Sequence, residues 1–220
     1  MSWTAEALRA RFAVHGRFYE ADLGGQRREL RSHLEIFESA LSWPEVADAD
    51  ADLVAVMMNP GASRPLAPPD ARGWAPALPD RTQYQLMKLA LGASLRGWPI
   101  RHIRVINLSD LRMPKSAALF DALDSLSNDR HSIFSPSRTA ELRQALGSGR
   151  APVLRAWGLA KQLSPLVKLA LPALEGSVKL GLTDDEFYYR HPLPQRADLQ
   201  ARWLLGMSSQ VNAQIAARTR

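Results

Sequence analysis

The sequence predicts an α/β fold, a three-layer α/β/α sandwich with a mostly parallel central sheet, on two observations. Residues 52–58 form a run that is apolar on both faces, as a strand buried from two sides is. Runs of this kind alternate along the chain with segments of helical periodicity, and that alternation implies right-handed parallel crossovers with helices on both faces of one sheet.

Taken in order, residues 4–12 read as a short amphipathic helix and residues 12–23 as a strand. The turn Leu23-Gly24-Gly25-Gln26 suits a hairpin, because glycine supplies the positive φ that tight hairpin turns need. Residues 26–37 then return as a second strand, although Leu30, Leu34 and Phe37 equally fit a helix. Residues 1–50 are read as a helix and hairpin extension packed on a core domain of residues 51–220. The acidic, alanine-rich stretch 45–52 leads over a loop into the central strand, which stops at Asn59-Pro60-Gly61 because Pro60 has no N–H for a ladder.

Residues 63–79 contain Pro65, Pro68, Pro69, Pro76 and Pro79 and are expected to be irregular, a lid or rim above the strand end. Asp80 then caps a helix whose apolar face is Tyr84, Met87, Leu91 and Leu95. A second core strand, residues 103–108, also passes through an asparagine, Asn107. Pro114 opens a helix to about residue 126, which Asn107 and Asp110 are placed to cap unless they tie neighbouring loops together, and Pro136 opens another to about residue 146. A third strand over 152–158 ends in Trp157-Gly158, and a helix kept short by Pro165 and Pro172 follows it. A fourth strand over 178–182 leads towards His191-Pro192-Leu193-Pro194, and a long helix from about 196 to 217 closes the chain.

The chain has 220 residues, of which 46% are hydrophobic and 23% charged, enough for a well-cored domain. It lacks cysteine, and its five histidines show no metal-ligand spacing, so disulfides, thiolate chemistry and a metal site are not expected, nor is a cofactor. No run reaches the length of a membrane span and no leader pattern is present, so a cytoplasmic protein without membrane partners is expected, a monomer or weak homo-oligomer. The net charge of +6, carried mostly by arginine, favours a polyanionic partner, DNA or a nucleotide. The dinucleotide, P-loop and hydrolase-elbow motifs are absent.

Five short blocks occur in order: Met58-Asn59-Pro60-Gly61, Asp80-x-Thr82, Asn107-Leu108, Ala156-Trp157-Gly158 and His191-Pro192-Leu193. They resemble an uncharacterised bacterial domain-of-unknown-function family with blocks M-L-N-P-S, D-P-T, N-L-F, W-G and H-P-L, departing from it at Gly61, at Arg81 and after Leu108. More distantly, the same order is similar to the uracil-DNA glycosylase superfamily, whose mismatch-type members carry a G-I-N-P-G block and a late H-P-S or N-P-S block. Leu193 stands here where serine is usual. The resemblance implies Asn59 and His191 as catalytic residues. Asn59 would orient a water, which an amide does by accepting its hydrogen bond without taking its proton. His191 would donate to the base carbonyl as charge develops there.

It further implies Pro60, Gly61, Ser63, Asp80, Thr82, Asn107, Trp157 and Leu193 around the substrate, with Arg64, Arg81, Arg190 and Arg196 at phosphates. Plainer readings exist for each: Asn59 as a turn former, Asp80 and Thr82 as a helix cap, Trp157 as core. The function so implied is binding of a nucleobase, nucleotide or DNA with hydrolysis of an N-glycosidic bond. A non-catalytic nucleic-acid module of the same fold and a protein-interaction domain docking through residues 63–79 are the alternatives.

Overall fold

The computed structural model describes residues 3–126 and 128–218. The chain opens with helix α1 (Ala5–Arg11), capped by the Thr4 hydroxyl, and passes directly into strands β1 (Phe12–Leu23) and β2 (Gln26–Glu38). These two form a long antiparallel hairpin, turned by Gly24 and Gly25 at φ values of 63° and 74°. Short helix α2 (Trp43–Ala47) follows, closed by reciprocal bonds between Ser42 and Glu45, and Trp43 stacks on His15 of β1 at 4.2 Å. Part of the stretch expected to be a loop, residues 45–47, is therefore helical.

Next come β3 (Leu53–Met57), β4 (Arg64–Pro65), β5 (Trp74–Leu78), α3 (Arg81–Ser94) and β6 (His102–Asn107). They are followed by α4 (Ser116–Ser125), α5 (Thr139–Leu146), β7 (Val153–Arg155), α6 (Ser164–Ala173), β8 (Lys179–Leu180) and α7 (Ala197–Arg218). Among the described residues the strands make one sheet, in the order β4-β5-β1-β2-β6-β3-β7-β8.

The expectation of a mostly parallel sheet is corrected. Three junctions are parallel (β6–β3, β3–β7, β7–β8), while four are antiparallel (β4–β5, β5–β1, β1–β2, β2–β6). The cause is the hairpin, whose β2 pairs with β6 and so continues the sheet through residues 12–38. The proline-rich segment adds the outer strands, against the expectation that it is irregular. Pro65 and Pro76 occupy β4 and β5 at that end of the sheet, where a missing N–H costs little, and Ala75 and Ala77 point inward.

At the seam between the halves, Glu35 of β2 faces Arg104 of β6. Its carboxylate accepts from Arg104 Nε at 2.7 Å and sits 2.6 Å from His102 Nε2. Arg104 spends its other donors on the Ala145 and Ala49 carbonyls. Burial alone would raise the Glu35 pKa, but the hydrogen bonds and charges of His102 and Arg104 outweigh it and hold the carboxylate ionised.

Leu53, Ala55 and Met57 of β3 pack with residues of α1, α3 and α7, whereas Val54 and Val56 pack with α5 and α6. Both faces of β3 are thus covered. β6 extends the sheet on one side of β3 and β7 and β8 on the other, so the direction of growth reverses at β3. In open sheets of this kind ligands sit outside the carboxyl ends of the strands at such a reversal. No described helix is long and apolar enough to cross a membrane.

Candidate functional site at the ends of β3 and β6

Beyond β3, Asn59 lies half-buried with its side chain fixed at one end. Its Nδ2 donates to the carbonyls of Leu111 at 3.1 Å and Met113 at 2.7 Å. Two carbonyl acceptors identify that end of the amide as nitrogen, which leaves Oδ1 as an acceptor without a protein donor. Pro60 is buried, and Gly61 turns the chain at φ 64°. A Cβ at Gly61 would stand 3.3 Å from Asp80 Oδ2, so the loop after β3 lies against the start of α3.

Asp80 divides its two oxygens. Oδ1 accepts from the N–H groups of Thr82 at 2.9 Å and Gln83 at 3.1 Å, capping α3, while Gln83 Oε1 accepts from the Asp80 N–H. Oδ2, beside Gly61, is free of these bonds. Thr82 contributes its backbone to this cap. Ser63 is buried, donating its hydroxyl to the Leu78 carbonyl and accepting from Arg112 Nε through its own.

His191 arrives from the loop after β8, and Pro192 next to it accepts from Gln85 Nε2 of α3 at 3.5 Å. Nδ1 of His191 accepts from the Leu193 N–H at 3.1 Å, which places the ring proton of the neutral form on Nε2. Burial lowers the His191 pKa, partly offset by the Leu193 contact and the nearby Asp80 charge, so the ring is neutral at pH 7. Gly61 and Asp80 thereby meet at the N-terminus of α3, and the segment that carries His191 is tied to the same helix through Gln85. His191 also lines a cleft of about 760 Å³ with Leu182, Arg190, Leu199 and Trp203.

Asn107, the last residue of β6, is fully buried, and both its amide atoms lack a hydrogen-bond partner. It does not cap the next helix, which starts at Ser116 without a side-chain cap. Nor does Asp110, which accepts instead from the Tyr19 hydroxyl at 2.8 Å and Arg138 Nη1 at 2.6 Å. Burial pushes the Asp110 pKa up to about 6 against the pull of Arg138 and Tyr19.

The remaining expected residues fall elsewhere. Trp157 is wholly buried, with Nε1 donating to the Phe187 carbonyl and its ring edge-on to Tyr189, so it belongs to the core rather than to a stacking surface. Arg190 is ion-paired with Asp184 and Arg196 with Asp198, whereas Arg64 and Arg81 are exposed. Leu193 is half-buried beside His191.

Arg31 of β2 was not among the expected site residues, and no motif marks it. Beside it, β2 carries a bulge: Arg17 pairs with His33 but Phe18 pairs with Arg31, leaving Ser32 extra. The bulge turns Arg31 onto the face of Phe18, Leu34 and Ile36, the face Asn107 shares with Val105. Arg31 is 2% exposed, and its Nε and Nη1 have no acceptor. Among the described residues, no group of three or more histidines and carboxylates is placed to hold a metal ion.

Comparison with protein-family models, curated proteins and solved structures finds no match.

Proposed function

We propose that this chain is a uracil-DNA glycosylase-like domain, a three-layer α/β/α sandwich that binds a nucleobase, nucleotide or DNA at the crevice beyond β3 and hydrolyses an N-glycosidic bond. The observation that supports the reading is the approach of Gly61 to Asp80 at the N-terminus of α3, with the Asp80 charge acting on His191 and with Asn59, two residues before Gly61, held on the Leu111 and Met113 carbonyls. Asn59 Oδ1 accepts from the attacking water and orients it. The free Oδ2 of Asp80 takes the proton that an amide cannot take. Neutral His191 donates from Nε2 to the base carbonyl, where negative charge collects as the bond to the sugar breaks. A donor of this type in a dry pocket contributes about 3 kcal/mol, roughly a hundredfold in rate.

The test is abasic-site formation on single-stranded and duplex uracil-containing DNA by the native chain, Asn59→Ala and Asp80→Asn. Asparagine is as good a helix cap as aspartate, so Asp80→Asn removes the proton acceptor while leaving α3 intact. Base release that falls about a hundredfold or more in both variants, with binding kept, is the expected result. No base release from any substrate by the native chain would sink the enzymatic reading. Leu193 in place of the usual serine favours a second reading, a binding module of the same fold. That module would bind DNA with steep salt dependence and release no base.

A further inference from the structure

Arg31 has no part in the chemistry above, yet its surroundings are unlike those of any other arginine of the crevice. Its guanidinium lies inside the protein with Nε and Nη1 unpartnered, and it joins no salt bridge among the described residues. Asp80 and Asp110 act on it only through space, opposed by Arg112. A cation taken out of water without a paired anion is strongly unfavourable. The chain nonetheless holds it there by a bulge, a device that re-aims a side chain at the expense of ladder bonds. On the neighbouring strand and the same face, Asn107 offers one unpaired donor and one unpaired acceptor. Of the residues implied at the site, Asn59, Gly61, Asp80 and His191 are half-buried, and the Asp80 charge reaches both Arg31 and His191. Two of the outer arginines, Arg190 and Arg196, are already matched to carboxylates. Arg64 and Arg81 are exposed to water, so what sets Arg31 apart is a buried positive charge without a carboxylate partner, beside an amide that is also unpaired.

We infer that the ligand of this crevice presents an anionic oxygen group to Arg31 beside an amide-like edge read by Asn107, as an anionic base or a nucleotide does. The inference rests on reading the crevice as a nucleobase site. The anion comes either from a carboxylate on the base or from a sugar phosphate, and both present the same charged oxygens to the guanidinium.

Thermal unfolding separates the cases, because a ligand that binds only the folded state raises its midpoint. The probes are uracil, orotate, uridine 5′-monophosphate and inorganic phosphate, against the native chain, Arg31→Met, Arg31→Lys and Asn107→Ala. The expected result has three parts. Orotate or the nucleotide raises the native midpoint by several degrees and neutral uracil by much less. Arg31→Met abolishes the shift and Arg31→Lys keeps part of it. The unliganded Arg31→Met protein melts at or above the native temperature, because an unpaired buried charge has gone. A shift with orotate assigns the anion to the base, and one with the nucleotide or phosphate alone assigns it to the sugar phosphate.

A purely structural Arg31 gives the reverse: an unliganded midpoint that drops by several degrees in Arg31→Met, with ligand shifts unchanged. That overturns the inference. A uracil shift that survives Arg31→Met but is lost in Asn107→Ala also overturns it, while leaving the glycosylase reading standing. No shift with any anion overturns the inference too, and base release on uracil-containing DNA then decides whether the glycosylase reading falls with it.

Discussion

Burial holds His33 and His131 neutral well into the acidic range, and this gives the fold a pH dependence of definite sign. Both pKa values are lowered to about 4, desolvation being the main cause for each, while the unfolded chain protonates near 6.5. Between those values the unfolded state binds more protons, so stability rises with pH from about 4 to 6.5 and is lost as pH falls through that window. Asp110 opposes them. Its folded pKa of about 6 lies above the unfolded value, so its contribution is full below pH 3.8 and fades as pH rises towards 6. Urea unfolding across pH 4 to 6.5 is the measurement. His131→Asn should flatten the rise by up to about 1.4 kcal/mol per pH unit, the slope carried by one proton. Asp110→Asn should steepen it. At this scale the candidate site was half legible. Asn59, Asp80 and His191 stand in short blocks at strand and helix ends, where a reader of sequence looks. Arg31 sits mid-strand, and only an uncounted extra residue, Ser32, turns it towards Asn107.

The elements that the sequence revealed least are those whose pattern is not one of hydrophobicity. β2 is buried over residues 30–37, yet Arg31, Ser32, His33 and Glu35 fill half of those positions, so the alternation that would separate strand from helix is masked by buried polar and charged side chains. In β5 the inward residues are alanines, too weakly apolar to mark a strand among prolines. β3 and β6, with aliphatic residues on both faces, were plain. The ladder that attaches β5 to β1 is continued by one close backbone approach. Phe18 N–H donates to the Gly73 carbonyl at 2.7 Å, with Gly73 at φ 85°, and a Cβ there would fall 2.7 Å from the Phe18 carbonyl oxygen. Gly73→Ala therefore adds a backbone clash to the left-handed penalty and should lower stability by about 2–3 kcal/mol. Gly25→Ala carries the left-handed penalty alone, since open space surrounds its Cβ, and should cost about 1 kcal/mol. Urea midpoints of the two variants compare them, and equal losses would contradict the argument.

For the molecule as a whole, the hairpin joins the outer strands to the parallel half of the sheet and packs with α3 and α7. Leu8, Phe12, Val14, Phe18, Leu34 and Ile36 share one cluster with Leu86 and Met87 of α3 and with Trp203 and Met207 of α7. Removing residues 1–50 strips that cluster and bares the edge of β6, so residues 51–220 alone should show no cooperative thermal transition by circular dichroism. The full chain should show a single one. A cooperative melt of the shortened chain would mean that the core closes without the hairpin. The fold class was readable because β3 and β6 alternate with helices; the sheet's direction was not, because strand pairing across β2 and β6 is a long-range fact. The same hairpin also sets an order of events in folding. Its two strands meet through a two-residue turn, a contact that closes in about 1–10 μs, while each parallel crossover must wait for a distant segment to arrive. During that wait β2 presents an open edge, and Arg27, Arg28, Glu29, Arg31 and Glu35 along it make the edge too highly charged to recruit another chain. Arg31 and Glu35, buried in the finished sheet, are for the nascent molecule, with their exposed neighbours, its guard against aggregation.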